Sequence, residues 1–234
     1  MARALRALSS TYVQRRSRLS EGAALAGRGK RAAFALFYGP LHYLLVREIV
    51  RALGLTSRAR STETAVERIP TLVDAGCGTG AAGAAFALAC VAPPPILAID
   101  RSAWAVEEAV WTYRTFKLPA RVRRGGLEPG TLPRSPSSFL AAFSVNELDE
   151  TVRDALLPHL LERAGRGDRV LIIEPLAGFV APWWKQWQRA CLAQRGRADD
   201  WRFHLELPPI VAKLDRAAGL DHRELTGRSL CLGG

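Results

Sequence analysis

Thr71-Leu-Val-Asp-Ala-Gly-Cys-Gly-Thr-Gly80, followed by Ile96-Leu-Ala-Ile-Asp100, decides the reading of this chain. A short apolar run ends in an acid, glycine then takes every second position, and an alanine-rich stretch follows. A second apolar run ends in another acid, Asp100, 24 residues beyond Gly76. The pattern predicts strand, tight turn, helix and strand in that order. Gly76, Gly78 and Gly80 let the backbone turn sharply and approach a ligand where a Cβ would collide with it. The helix that follows offers unpaired N–H groups at its start. Asp100 stands where a carboxylate accepts hydrogen bonds from both hydroxyls of a ribose.

Outward from this turn the chain alternates. Strand Thr71–Asp74 leads to a helix over 79–91, strand Ile96–Asp100 to a helix over 103–116, and a strand follows near Ala120–Arg124. Residues 125–137 are rich in Gly, Pro and Ser and leave little room for a helix before a strand over 139–144. A helix over 150–164 and a strand over 169–174 complete the alternation. The βαβ order predicts an α/β, Rossmann-like sheet of seven mostly parallel strands with helices on both faces. The last two strands are expected as a short hairpin around Thr226-Gly227, after helices over 182–195 and 208–218. Residues 1–69 read as a basic helical extension, with a helix over 1–19 and an apolar segment from 31 to 55. Gly39-Pro40 interrupts that segment, where the proline divides two helices or starts the second. Residues 70–234 form the main domain, with a Trp-rich helical insertion near 176–208.

Composition narrows the classes. At 234 residues the chain can bury a sizeable core, and 48% hydrophobic with 24% charged residues is ordinary for a soluble globular protein. Residues 75–99 carry no charge, but four glycines and Pro93-Pro-Pro95 exclude a membrane span there. No secretory signal is visible at the start. The four cysteines, Cys77, Cys90, Cys191 and Cys231, are scattered without a C-x-x-C pair, which points away from zinc or a disulfide framework and suits a reducing cytoplasm. The net charge of +11 is uneven: residues 1–60 hold 12 Lys+Arg against 2 acids. Such a leader favours polyanions, with RNA the natural partner. Against this stands a compositional bias, 29 Arg to 4 Lys, and an Arg-rich start also mimics a mitochondrial transit peptide.

Asp-x-Gly-x-Gly-x-Gly resembles the first motif of S-adenosylmethionine-dependent methyltransferases. Gly76-x-Gly78-x-x-Ala81 also satisfies the looser pattern of NAD-binding domains. The position of Asp74, the 70 residues ahead of the motif and the expected terminal strands favour the methyltransferase. The cofactor set is then Asp74, Gly76, Cys77, Gly78, Gly80 and Asp100, with Arg101 and Ser102 beside the adenine. Cys77 reads as a small filler of the turn. Ala141-Ala-Phe-Ser-Val-Asn-Glu-Leu148 is an apolar strand ending in polar groups, which puts Asn146 and Glu147 where cofactor and acceptor meet, with Asn146 in both sets. Both residues would equally serve as a helix cap and its N-terminal charge. Methyl transfer needs chiefly positioning, so a short catalytic inventory suffices. An Asn/Asp-Pro-Pro-aromatic tetrad, a Pro-Cys pair and H-E-x-x-H spacing are all missing, and the four histidines are dispersed. Trp183, Trp184 and Trp187 would stack on bases or, as favoured, pack the added helix onto the sheet.

Further segments carry a closer resemblance: Leu8-Ser-Ser-x-Tyr12 with Arg15 and Arg16, Ala33-Phe-x-Leu-x-Tyr-Gly-Pro40 with Tyr43, Ala142-Phe-Ser-Val-Asn-Glu-Leu148, and Ile172-Ile-Glu-Pro175. They are similar to the mitochondrial small-ribosomal-subunit methyltransferase-like family and its bacterial relatives. The resemblance implies an RNA methyltransferase or an assembly factor working on the small ribosomal subunit through its basic leader. A methyltransferase acting on a small molecule is the other alternative. Tyr38 replaces the family's arginine, and Cys191 and Cys231 stand alone where many members hold an iron–sulfur cluster. No metal cluster is therefore expected, and the chain reads as a shorter, divergent branch.

Overall fold

The computed structural model describes residues 1–14, 27–55, 70–133, 137–176 and 181–233, without the side chains of residues 9–14. Seven strands form one sheet: β1 Thr71–Ala75, β2 Ile96–Asp100, β3 Ala120–Arg124, β4 Ser137–Ala142, β5 Arg169–Glu174, β6 Arg197–Phe203 and β7 Leu225–Leu232. Their order is β3-β2-β1-β4-β5-β7-β6, and β7 alone runs antiparallel to its neighbours. The fold is thus the expected α/β, Rossmann-like one. The chain leaves β1 in one direction for β2 and β3, then returns to its other side for β4 and β5. That reversal opens a crevice at the carboxyl ends of β1 and β4, where ligands of open α/β sheets bind.

Two apolar layers sandwich the sheet. One face is covered by α1 Ala2–Gln14, α2 Arg28–Ala33, α3 Gly39–Ala52, α4 Ala81–Ala89, α5 Ala103–Thr115 and α8 Pro209–Ala218. The other carries α6 Glu150–Gly165 and α7 Trp184–Ala193. Helices on both faces explain why the inner strands read as continuous apolar runs. The described part of the basic extension belongs to the first layer: Leu5 and Leu8 of α1, and Phe37, Val46 and Ile49 further on, are fully buried in the same core as Leu72 of β1.

Several boundaries differ from the sequence reading. Of the two expectations for Pro40, the second holds: α2 passes through a π turn, Phe34–Tyr38, straight into α3, and Pro40 starts α3 in its first turn. The wider π turn takes the Gly39 N–H onto the Phe34 carbonyl, so the proline's missing donor falls at a new helix start where it costs little. Instead of the hairpin expected around Thr226-Gly227, these residues lie near the start of β7, a continuous eight-residue strand. Gly227 is there for closeness rather than for a turn, since a Cβ would stand 3.1 Å from Leu45 of α3. The partner of β7 is β6, in a stretch that reads as polar because an edge strand needs no buried face on both sides. Among the described residues, the segment expected near 176–208 holds a helix, α7, and a strand, β6. Its tryptophans pack as expected: Trp183, Trp184 and Trp187 are buried against α6 and the sheet, with Trp183 edge-on to Trp187 at 4.9 Å. Between β3 and β4 the described residues of the crossover hold one 3-10 turn, Pro129–Thr131. The glycine-containing link expected over 20–30 is already helical from Arg28, where α2 starts. Its first part, with the polar segment 56–69 and the motif residues Ser9, Ser10, Tyr12, Arg15 and Arg16, lies outside the described residues or side chains.

Candidate active site

The glycine turn joins β1 to α4, and all three of its glycines have positive φ: 70° at Gly76, 52° at Gly78 and 77° at Gly80. At Gly76 a Cβ would lie 2.4 Å from the Cβ of Ser144, just past β4. The Ser144 hydroxyl in turn donates to the Ala75 carbonyl at 2.8 Å, tying the ends of β1 and β4 together at the crevice. The N–H groups of Gly76 and Cys77 both donate to the Ile99 carbonyl of β2, at 2.8 and 3.0 Å. The turn is thereby fixed to both neighbouring strands before any ligand arrives.

Asp74 and Asp100 hold this turn from two sides. Asp74 is buried behind it, where one carboxylate oxygen accepts from the Tyr113 hydroxyl at 2.6 Å and from the Gly83 N–H at 3.2 Å. Burial pushes its pKa up to about 6, against the pull of those two donors. Asp100 faces the crevice, half-buried, and accepts from the Gly78 N–H at 2.9 Å and the Ser102 N–H at 2.8 Å, one on each oxygen. Burial raises its pKa as well. Ser102 caps α5 by accepting from the Ala105 N–H. Cys77 is buried within the turn and burial drives its thiol well above the ordinary range, so it is no nucleophile.

Across the crevice, β4 ends in a 3-10 turn, Val145–Glu147. The Asn146 N–H donates to Glu174, a fully buried acid at the end of β5, at 3.0 Å. Glu147 faces Arg101 at 3.8 Å, and burial pushes its pKa up to about 7 although that guanidinium lowers it. The carboxylate is thus poised to gain or lose a proton near neutrality. The structure brings Gly76, Gly78, Gly80, Asp100, Arg101, Ser102, Asn146 and Glu147 to one end of the sheet. Asp74 stands behind the turn and reaches the crevice through it.

An aromatic wall closes the site on the side of the extension. A Cβ on Gly78 would meet the Phe34 ring at 3.4 Å, and Phe34 stands edge-on to His42 and Trp104. His42 stacks on Phe143 at 4.0 Å, and burial depresses its pKa to about 3, so the ring is neutral. Phe143 follows β4 with φ 61°, a conformation that bulky residues rarely adopt and that functional sites often store. Sequence reasoning missed Tyr113, Ser144, His42 and Phe143 as parts of the site. Glu174 alone carried a local signal, an acid ending an apolar strand as Asp100 does.

Among the described residues no cluster of metal-ligating side chains is present, and no helix is long and apolar enough to cross a membrane. No protein-family model and no curated protein matches the chain. Solved structures do. The chain is similar to precorrin 8W decarboxylase of Methanobacterium thermoautotrophicum, at 16% identity over 82% of this chain and 90% of that one, with a TM-score of 0.50. It is similar to geranyl diphosphate methyltransferase in complex with S-adenosylmethionine, at 15% identity, coverage of 91% and 94%, and a TM-score of 0.48. A third is an N-methyltransferase of Bradyrhizobium japonicum in complex with S-adenosylhomocysteine, at 11% identity, coverage of 82% and 85%, and a TM-score of 0.48. At such identities what is shared is the fold alone, the Rossmann-like α/β sheet.

Proposed function

We propose that this protein is an S-adenosylmethionine-dependent methyltransferase of the cytoplasm acting on RNA in the context of the small ribosomal subunit. The observation that carries the reading is the crevice at the strand-order reversal, where the glycine turn and Asp100 face Asn146 and Glu147. The cradle fits the cofactor. Gly76, Gly78 and Gly80 all take positive φ, and a Cβ at each would press on Ser144, Phe34 or Tyr113, so only glycine keeps the turn this tight. Each Asp100 oxygen that accepts a backbone N–H keeps a second lone pair for a ribose hydroxyl. The turn from Gly76 to Gly80 and Asn146 would hold the methionine part, Asp100 the ribose, and Arg101 with Ser102 the adenine side. When bound, the cofactor supplies a methyl group on a sulfonium that is its own leaving group.

The protein's own contribution is position and one proton. Ser144 and Asp74 fix the turn, so the cradle needs no reorganisation, which is where such catalysis gains most. Glu147 takes the proton that the acceptor loses on methylation, and Arg101 holds its carboxylate at the rim. A small-molecule acceptor is the second reading. It is favoured by one observation, that Phe34 of the extension lies directly against the glycine turn and so walls the site.

Calorimetric titration with S-adenosylmethionine, with NAD as comparator, tests the proposal. Micromolar binding that Asp100→Ala weakens at least tenfold is the expected result. Folded protein that binds NAD, or neither ligand, overturns it. Methyl transfer to small-subunit RNA rather than to small acceptors then decides between the two readings.

A further inference from the structure

The sheet ends in two edge strands of opposite character. On β6, Arg197 pairs with Asp199 at 3.0 Å and Arg202 with Glu224 at 3.3 Å, and Asp200 adds another acid. At the β3 edge the charge is uncompensated. Arg121, Arg123 and Arg124 on β3, and Arg114 and Lys117 at the end of α5, are all exposed. Among the described residues none of these five has a carboxylate within ion-pairing distance. Two exposed aromatics belong to the same end of α5: Trp111, 66% accessible, and Phe116, 44% accessible, which already stacks one ring face on Tyr43 at 5.9 Å. The strip has a direction as well. Arg124 is in register with Asp100, and its guanidinium donates to the Arg101 carbonyl at 2.9 Å. Side chains alternate along β3, so Arg124 shares the α5 face with Ala120 and Val122 while Arg121 and Arg123 leave the opposite one. With Arg101 facing Glu147, the cations flank both sides of the sheet edge up to the rim of the active site.

We propose that the β3 edge and the end of α5 form a docking track for single-stranded RNA that leads its target nucleotide to Glu147. The inference rests on the RNA part of the function proposed above. Guanidinium groups take phosphate oxygens in a bidentate fork. Aromatic rings set among cations stack on bases irrespective of sequence. A five-residue strand spans about 16 Å, a length that a few nucleotides of extended single strand cover. An anionic lipid surface would also attract the cations, but the strip lies along a strand and ends at a catalytic rim, which a membrane surface does not require. Arg123 and Arg124 are engaged by backbone carbonyls and hold the edge in shape. Arg114, Lys117 and Arg121 are therefore the residues to remove.

The test measures binding of a fluorescent ten-nucleotide RNA against salt. For single strands the slope of log K on log salt is about 0.7 per phosphate neutralised. Replacing Arg114, Lys117 and Arg121 by Gln lowers the slope by about 2 on this proposal. The charge-matched triple Arg197→Gln, Arg202→Gln, Arg223→Gln on the other edge leaves it within about 0.5. Trp111→Ala weakens binding about tenfold at fixed salt without changing the slope. Equal losses in both triples, or in neither, overturn the proposal. So does binding to phosphatidylserine vesicles, with none to RNA, that the β3 triple abolishes. Calorimetry with S-adenosylmethionine on the same proteins separates the two inferences. A β3-dependent RNA slope without cofactor binding leaves the track and removes the methyltransferase. Cofactor binding with an unchanged slope does the reverse.

Discussion

Asp74 shows how a residue at the heart of a binding motif acts without facing the ligand. Its buried carboxylate receives the Tyr113 hydroxyl and the Gly83 N–H, so it anchors the first turn of α4 against α5. Its folded pKa, about 6, lies above the ordinary 3.8. The folded state therefore keeps a proton between about pH 4 and 6 that the unfolded chain has released, and stability falls as pH rises through that window. Asp74→Asn, which can present the same oxygen to both donors, removes the penalty. Chemical denaturation of the two proteins should show the variant gaining on the wild type by about 1–3 kcal/mol from pH 4 to 7. Asp74→Ala leaves both donors buried and unpaired, and is expected to lose about 2–4 kcal/mol at any pH. Glu147 carries the opposite consequence for turnover. As a proton acceptor it works only when ionised, so kcat should climb with pH and reach half its plateau near pH 7. Glu147→Gln should flatten that limb and lower kcat about 100-fold or more, with cofactor affinity nearly unchanged.

At the scale of elements, α7 is fastened to the sheet by its tryptophans. Trp187 is 2% exposed, and truncation to alanine should cost about 3–5 kcal/mol in thermal or chemical unfolding. RNA affinity measured below the new midpoint should not change, because the ring faces the core. The elements also show what the sequence disclosed. Gly76 to Gly80 and Asp100 were legible because a turn that approaches a ligand writes its needs in adjacent residues. Tyr113 lies 39 residues from the Asp74 it holds, and Ser144 lies 69 from Ala75, so neither had a local signature. β6 was hidden by Asp199 and Asp200, which an edge strand tolerates. Thr226-Gly227 was misleading because a glycine chosen for a close approach by Leu45 looks the same as one chosen for a turn.

For the molecule as a whole, the basic extension and the sheet share one core. Leu5 and Leu8 of α1 are fully buried, and α1 packs against α2 and α8. The described extension should therefore melt with the rest in one cooperative step, at a calorimetric enthalpy equal to the van't Hoff value. Leu5→Ala should lower stability by about 2–5 kcal/mol and shift that single transition without splitting it. A separate low-temperature transition would show the extension to be an independent unit.

The place of β7 in the sheet bears on how the chain is made. β6 pairs with β7 alone, and the outer edge of β5 waits for the same strand. During synthesis, β5 and then β6 must each remain without that neighbour until Leu232 has been added. At about 5–20 residues per second this interval lasts several seconds. Through it, the apolar edge of β5 is open to any passing strand, including one from a second nascent copy on the same message.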